Sequence, residues 1–256
     1  MEAVMSNGIE IIEQGGVLEI HIDRPDKKNA LTAAMYDSMT AALAYASARS
    51  EIGAVLIAGK GDAFCAGNDL KDFTQGPQGG AAAFAFIRTI ASFDKPLIAA
   101  VQGLAVGVGT TMLFHCDLVY AAPDARFVMP FVNLGIVPEA GSSLLAPATL
   151  GHAKAAAMLL LGEPMDAQTA DRSGLVTAVI PTEELLGHAR AKAATLMQKP
   201  PKALAATRRL LKGDPAALLE RIEEEARLFE QMLESEEAQE AFAAFFEKRP
   251  PIFRRD

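Results

Sequence analysis

Two glycine-bearing turns constrain this chain more than any other feature: Phe64-Cys65-Ala66-Gly67-Asn68-Asp69-Leu70 and Gly103-Leu104-Ala105-Val106-Gly107-Val108-Gly109. Each follows an apolar, strand-like run (54–58 and 97–101) and precedes a helix-like stretch. The first N–H groups of a helix lack intrahelical partners, so free donors collect at such junctions. Glycine lets the chain turn sharply and lets a ligand approach the backbone. Taken singly, either turn reads as an ordinary loop. Aimed together at one point they form an oxyanion hole, worth roughly 3–4 kcal/mol of transition-state stabilisation per donor.

Strand-like runs recur at 9–12, 17–23, 54–58, 97–101, 118–121, 126–129 and 176–179. Helical stretches fall at 32–49, 80–93, 109–115, 142–150 and 153–161. Strands alternating with helices imply βαβ units and a largely parallel sheet. From Thr182 the pattern is helical, broken at Pro200-Pro201 and at Gly213-Asp214-Pro215. The expected organisation is an α/β core over residues 1–195 and a helical part over 196–256. Gly76-Pro77-Gln78-Gly79-Gly80 reads as a flexible loop beside the site.

The chain has 256 residues, half of them hydrophobic, and a formal net charge of −8. Its mean hydropathy of +0.17 suits alanine-rich helices or buried subunit interfaces. With no long basic block, nucleic acid is not an expected partner, because phosphate neutralisation supplies most non-specific affinity. Two cysteines, Cys65 and Cys116, make no disulfide framework, and no Cys/His spacing suggests a metal. No signal peptide, bilayer-spanning run or peroxisomal C-terminal signal is read, so the cytoplasm is the expected compartment.

The two turns belong to an ordered series: Ile22-Asp23-Arg24-Pro25 with Asn29-Ala30-Leu31, then Lys95-Pro96 through Gly103, Cys116-Asp117, Asn133-Leu134-Gly135-Ile136 and Phe245-Phe246-Glu247-Lys248-Arg249. This series, spanning about the whole chain, resembles the crotonase superfamily, the enoyl-CoA hydratases and isomerases. The resemblance implies a spiral of ββα units and a C-terminal helical region that trimerises, often as a dimer of trimers. It implies an acyl-CoA thioester substrate, with coenzyme A entering as part of that substrate and no separate cofactor. In the resembling proteins the hole's donors are backbone amides; the matching positions are taken here as Ala66 and Val108. Val108 replaces a frequent glycine, so a positive φ is not expected there.

The resemblance also sharpens an absence. Hydratases of this kind carry two glutamates after the second turn, and the corresponding positions here are Thr111 and Phe131. Neither transfers a proton at neutral pH, so two-carboxylate hydration is closed. Glu139, just before a helix start in Pro138-Glu139-Ala140-Gly141-Ser142-Ser143, matches the base of peroxisomal-type Δ3,Δ2-enoyl-CoA isomerases. One carboxylate suffices to move a proton from C2 to C4. The bland alternative is that Glu139 caps the helix after it, where an acid suits the dipole. For coenzyme A, the resemblance points to the turn Ala63, Cys65, Ala66, Gly67, Asn68, Asp69 and Leu70, with Lys28, Phe131, Phe245 and Lys248. Phe73, Phe84, Phe86 and Phe131 are candidates for an acyl pocket or for plain core. The four histidines form no catalytic constellation, and Glu223-Glu224-Glu225 reads as an exposed face. The expected reaction is a 3-enoyl to 2-trans-enoyl shift. Hydration, thioester hydrolysis and non-catalytic acyl-CoA binding stand as alternatives.

Overall fold

The computed structural model describes the backbone of residues 2–73 and 78–253, and the side chains of 5–71 and 80–253. In chain order it runs β1 (Glu2–Ser6), β2 (Ile9–Gln14), β3 (Val17–Ile22), α1 (Ala33–Ala48), β4 (Ala54–Gly59), α2 (Leu70–Phe73) and α3 (Gln78–Ser92). Then follow β5 (Leu97–Val101), β6 (Leu104–Val106), α4 (Val108–Thr111), β7 (Leu118–Ala121), β8 (Arg126–Val128), α5 (Ser142–Leu150) and α6 (His152–Leu160). The remainder is β9 (Met165–Asp166), α7 (Ala167–Ser173), β10 (Ala178–Val179), α8 (Leu185–Met197), α9 (Pro201–Lys212), α10 (Ala216–Leu233) and α11 (Glu236–Glu247). Of the loop expected at 76–80, residues 76 and 77 lie outside the described residues, and 78–80 are not loop but the first residues of α3.

The main sheet has seven strands in the order β1-β2-β3-β4-β5-β7-β10. The first three pair antiparallel, and from β3 onward every pairing is parallel. β4 and β5 read as unbroken apolar runs because both faces are covered. Alternation sorts their side chains: Val55, Ile57, Leu97 and Ala99 join the core with α1 and α3. Leu56, Ala58, Ile98 and Ala100 meet Leu185, Ala189 and Ala193 of α8 on the other face.

A second, three-stranded sheet, β6-β8-β9, carries the site. Its strand β6 lies inside the second glycine turn, where sequence pattern suggests only loop. Three residues of strand among glycines leave no periodic signal. A single parallel bridge, Cys65 to Ala105, ties the first turn to β6.

Helix starts follow local chemistry. Thr32 accepts from Met35 N at 3.3 Å and Ser235 from Ala238 N at 3.1 Å. Pro201 occupies the first turn of α9, where its missing N–H costs nothing. α10 packs on α3 and α5, and α11 packs on the single helical turn at Val132–Leu134. The C-terminal helices therefore lie against the site-bearing part of the core.

Gly109 makes the junction of the turns possible, since a Cβ there would sit 2.4 Å from the Cys65 carbonyl oxygen. Gly109→Ala is therefore expected to lose about 1–3 kcal/mol through overpacking, together with most activity. Gly187→Ala, in exposed helix with open space around it, should gain about 0.5–1 kcal/mol. Thermal melts of both variants check the contrast.

Candidate active site

The first turn is bound on both flanks. Cys65 N donates to Leu104 O at 3.0 Å, and Val106 N returns a bond to Cys65 O at 2.9 Å. Ala66, the expected oxyanion donor, spends its N–H on the Lys28 carbonyl at 2.9 Å. That assignment is corrected by the backbone itself. Leu31 N donates to Gly67 O and Leu31 O accepts from Asp69 N, both at 2.8 Å. Those two bonds flank Asn68, so in a parallel bridge Asn68's own N–H faces away from Leu31. Among the described residues it has no backbone acceptor, and Asn68 lines the neighbouring cleft.

In the second turn, Gly107 caps α4 with φ 55° and ψ −121°, a conformation glycine accepts readily. Val108 is the first helical residue and keeps a negative φ, as expected. Its N–H also has no backbone acceptor among the described residues. The donor pair that this geometry offers is Asn68 and Val108.

Glu139 is buried, 3 % exposed. Its Oε1 accepts the Thr111 hydroxyl at 2.5 Å, and its Oε2 has no hydrogen-bond partner among the described residues. Burial, augmented by the charge of Glu225, pushes the carboxyl up to about 8, with the Thr111 bond opposing. The carboxylate does not cap α5: the amides of Gly141 and Ser143 are taken by Glu225 of α10, at 2.6 and 2.9 Å. Glu225 is thus buried, 4 % exposed, unlike its acidic neighbours, which pair on the surface with Arg88 and Arg221. A run of three acids on a helix spans too much arc to share one environment.

Tyr36 of α1, fully buried, donates its hydroxyl to the Asn68 side chain. The Cys65 thiol is buried beside the same carboxylate and is pushed up to about 12 by desolvation. It is no nucleophile at neutral pH.

A cleft of about 660 Å³ opens at the turns. Ala66, Gly67, Asn68, Asp69, Leu70, Phe131 and Phe245 line it, as expected. Ala63 and Cys65 are buried in the turn instead, and Glu139 and Val108 are not among the lining residues. Lys28 pairs with Asp62 at 2.5 Å and is absent from the lining, where Lys27 appears. Lys248 closes α11 in a left-handed conformation, and its neighbour Arg249 lines the cleft. Asp69 accepts from Arg24 at 2.8 Å and from Lys71 N at 3.1 Å, which fixes the turn's exit. Phe84 and Phe86 are core residues, the first edge-to-face with Phe229 and the second tilted against Tyr36. Phe73's side chain lies outside the described residues. Among the described residues no cluster of side chains has metal-ligand composition, and no helix is long and apolar enough to cross a membrane.

Sequence reasoning missed Asn68's amide, Thr111's bond to the acid, and Glu225. Asn68 carried no local signal, because its direction is set by the non-local bridge to Leu31. Thr111 and Glu225 act through contacts distant in sequence.

Comparison with known proteins gives the family. A family model described as "Enoyl-CoA hydratase/isomerase" matches residues 12–256. Enoyl-CoA delta isomerase 2 of Rattus norvegicus is 36 % identical over 98 % of the chain, which spans 66 % of that relative's length. A probable enoyl-CoA hydratase of Mycobacterium bovis is 37 % identical over 91 % of this chain and 93 % of its own. The crystal structure of an enoyl-CoA hydratase/isomerase from Pseudoalteromonas atlantica superposes with a TM-score of 0.93 at 38 % identity, covering 97 % of this chain and 100 % of that one. The chain is an enzyme of the enoyl-CoA hydratase/isomerase family.

Proposed function

We propose that this enzyme is an acyl-CoA isomerase that moves a 3-enoyl double bond to the 2-trans position. The observation that carries the reading is the buried Glu139 carboxyl, bonded once by Thr111 and left with a free oxygen. The thioester carbonyl would accept from Asn68 N–H and Val108 N–H. Glu139 takes a proton from C2, the C2–H electron pair becomes the enolate, and negative charge gathers on the held oxygen. The enolate then collapses, C4 takes the proton back from Glu139, and the double bond lies between C2 and C3. Hydration would need a second carboxylate to orient water. Thr111 is committed to Glu139, and Phe131 is apolar and buried.

A base buried in this way is mostly protonated at neutral pH, so kcat/KM should rise with pH through about 8. Stability runs the other way. The folded carboxyl is raised above its unfolded value, so the native state binds more protons across that window and loses stability as pH climbs from about 4.5 to about 8. Glu139→Gln should fold, lose at least roughly 10²-fold in isomerase rate, and melt progressively higher than wild type as pH rises. Retained activity in Glu139→Gln, measured with 3-enoyl-CoA and product mass, would place the base elsewhere.

The reading extends to the nucleotide end of the substrate. Lys27 and Lys71 are exposed lysines at the cleft, and of the neighbouring pair Lys27 and Lys28 it is Lys28 that Asp62 holds. Lys27→Ala should weaken acyl-CoA binding by up to about 1 kcal/mol, with a smaller loss at high salt. It should leave an acyl-pantetheine substrate unaffected; equal losses for both would count against a phosphate contact. We also propose self-association through the C-terminal helices, where Leu210 and Leu211 are 80 % and 82 % exposed. Light scattering should give a trimer or hexamer, and a 27.1 kDa species would refute it.

A further inference from the structure

The turn that carries Glu139 is costly to hold. Ala140 and Gly141 are both left-handed, at φ 61° and φ 69°. For alanine that conformation is unfavourable and persists only where neighbours over-determine it. Three contacts do so. The His115 ring bonds Ala140 O through Nε2 at 2.8 Å. Ser142 N donates to Glu139 O at 3.1 Å. The Glu225 carboxylate accepts Gly141 N at 2.6 Å and Ser143 N at 2.9 Å, one oxygen to each.

The third contact differs in kind. Gly141 has no side chain with which to cap α5, so a residue 84 positions away supplies the cap. Glu225 pays a desolvation cost to sit there, since burial raises its carboxyl and the two amides only partly offset it. A surface N-cap would have satisfied α5 without that cost. α10 is pressed into the same turn by Leu218, whose Cδ1 would lie 2.4 Å from a Cβ on Gly141.

We infer that Glu225 is a positioning residue for Glu139: by gripping the Gly141 and Ser143 amides it locks the left-handed turn that presents the acid to Thr111 with one oxygen unpartnered. The inference rests on Glu139 being the base. The titratable and charged groups around the pair are Tyr36 of α1 and Cys65 of the first turn beside Glu139, His115 behind Ala140, and Arg221 one turn back on α10. Removing the Glu225 charge should therefore make Glu139 easier to ionise, since that charge opposes ionisation.

The test compares Glu225→Gln, Glu225→Ala, Glu139→Gln and the Glu139→Gln/Glu225→Gln double variant, with kcat and KM followed from neutral to alkaline pH. Glu225→Gln should lower kcat roughly tenfold, as slight misplacement of a reacting group does, while KM changes less than about twofold. Its rising pH limb should move to lower pH, and the double variant should be no slower than Glu139→Gln alone. Glu225→Ala should lose more; if it does not fold, Glu225→Gln and its pH limb still decide. A Glu225→Gln enzyme that melts lower but keeps kcat and the pH limb would overturn the inference while leaving Glu139 as base. An active Glu139→Gln enzyme would overturn both.

Discussion

One backbone bridge, Cys65 to Ala105, holds the site together. It brings two turns, each the exit of a different sheet strand, close enough that Gly109 has no room for a side chain. The two free backbone amides follow from that approach. Because Leu31 and Lys28 absorb the neighbouring groups of the first turn, the Asn68 amide is left over. Because α4 starts at Val108, the Val108 amide is left over as well. The donors are what remain after the fold has satisfied the rest of its backbone. They are also rigid, since each is flanked by bonded groups, and preorganisation gives an oxyanion hole its effect.

The carboxylate obeys a different economy. An acid buried without an ion pair disfavours its own ionisation. Here the one hydroxyl that reaches it, Thr111, offers partial relief, and Glu225 adds repulsion. A residue serving stability alone would be poorly designed in this way. A proton shuttle benefits, because an acid of raised pKa both accepts a proton from a weakly acidic carbon and gives it back. On the proposed reading, the residue that weakens the fold is the one that moves the proton, a common trade between stability and activity.

Much of this was legible in the chain itself. The buried strands announce themselves as apolar runs, and the order of strands and helices gives the layered core. The residues at positions 111, 131 and 139 single out Glu139 as the candidate carboxylate. Legibility ends where an outcome depends on direction or partnership. Which amide of the first turn points into the cleft depends on pairing with Leu31, which no local pattern encodes. Lys27 and Lys28 are equivalent as sequence, and Asp62 alone separates them. Glu225 looks like its neighbours until α10 is docked, when one residue of the acidic run turns inward.

That docking bears on how the helical C-terminal part relates to the core. Phe242, Phe245, Phe246 and Arg249 line the cleft from α11 and the segment after it, and Phe229 does so from α10. Glu225 on α10 caps the helix that follows the acid. The helices after α8 therefore cannot be removed without opening the cleft and uncapping α5. Early strands bring the two turns together and late helices line the cleft and cap α5, so the cleft takes its shape only when both are folded together.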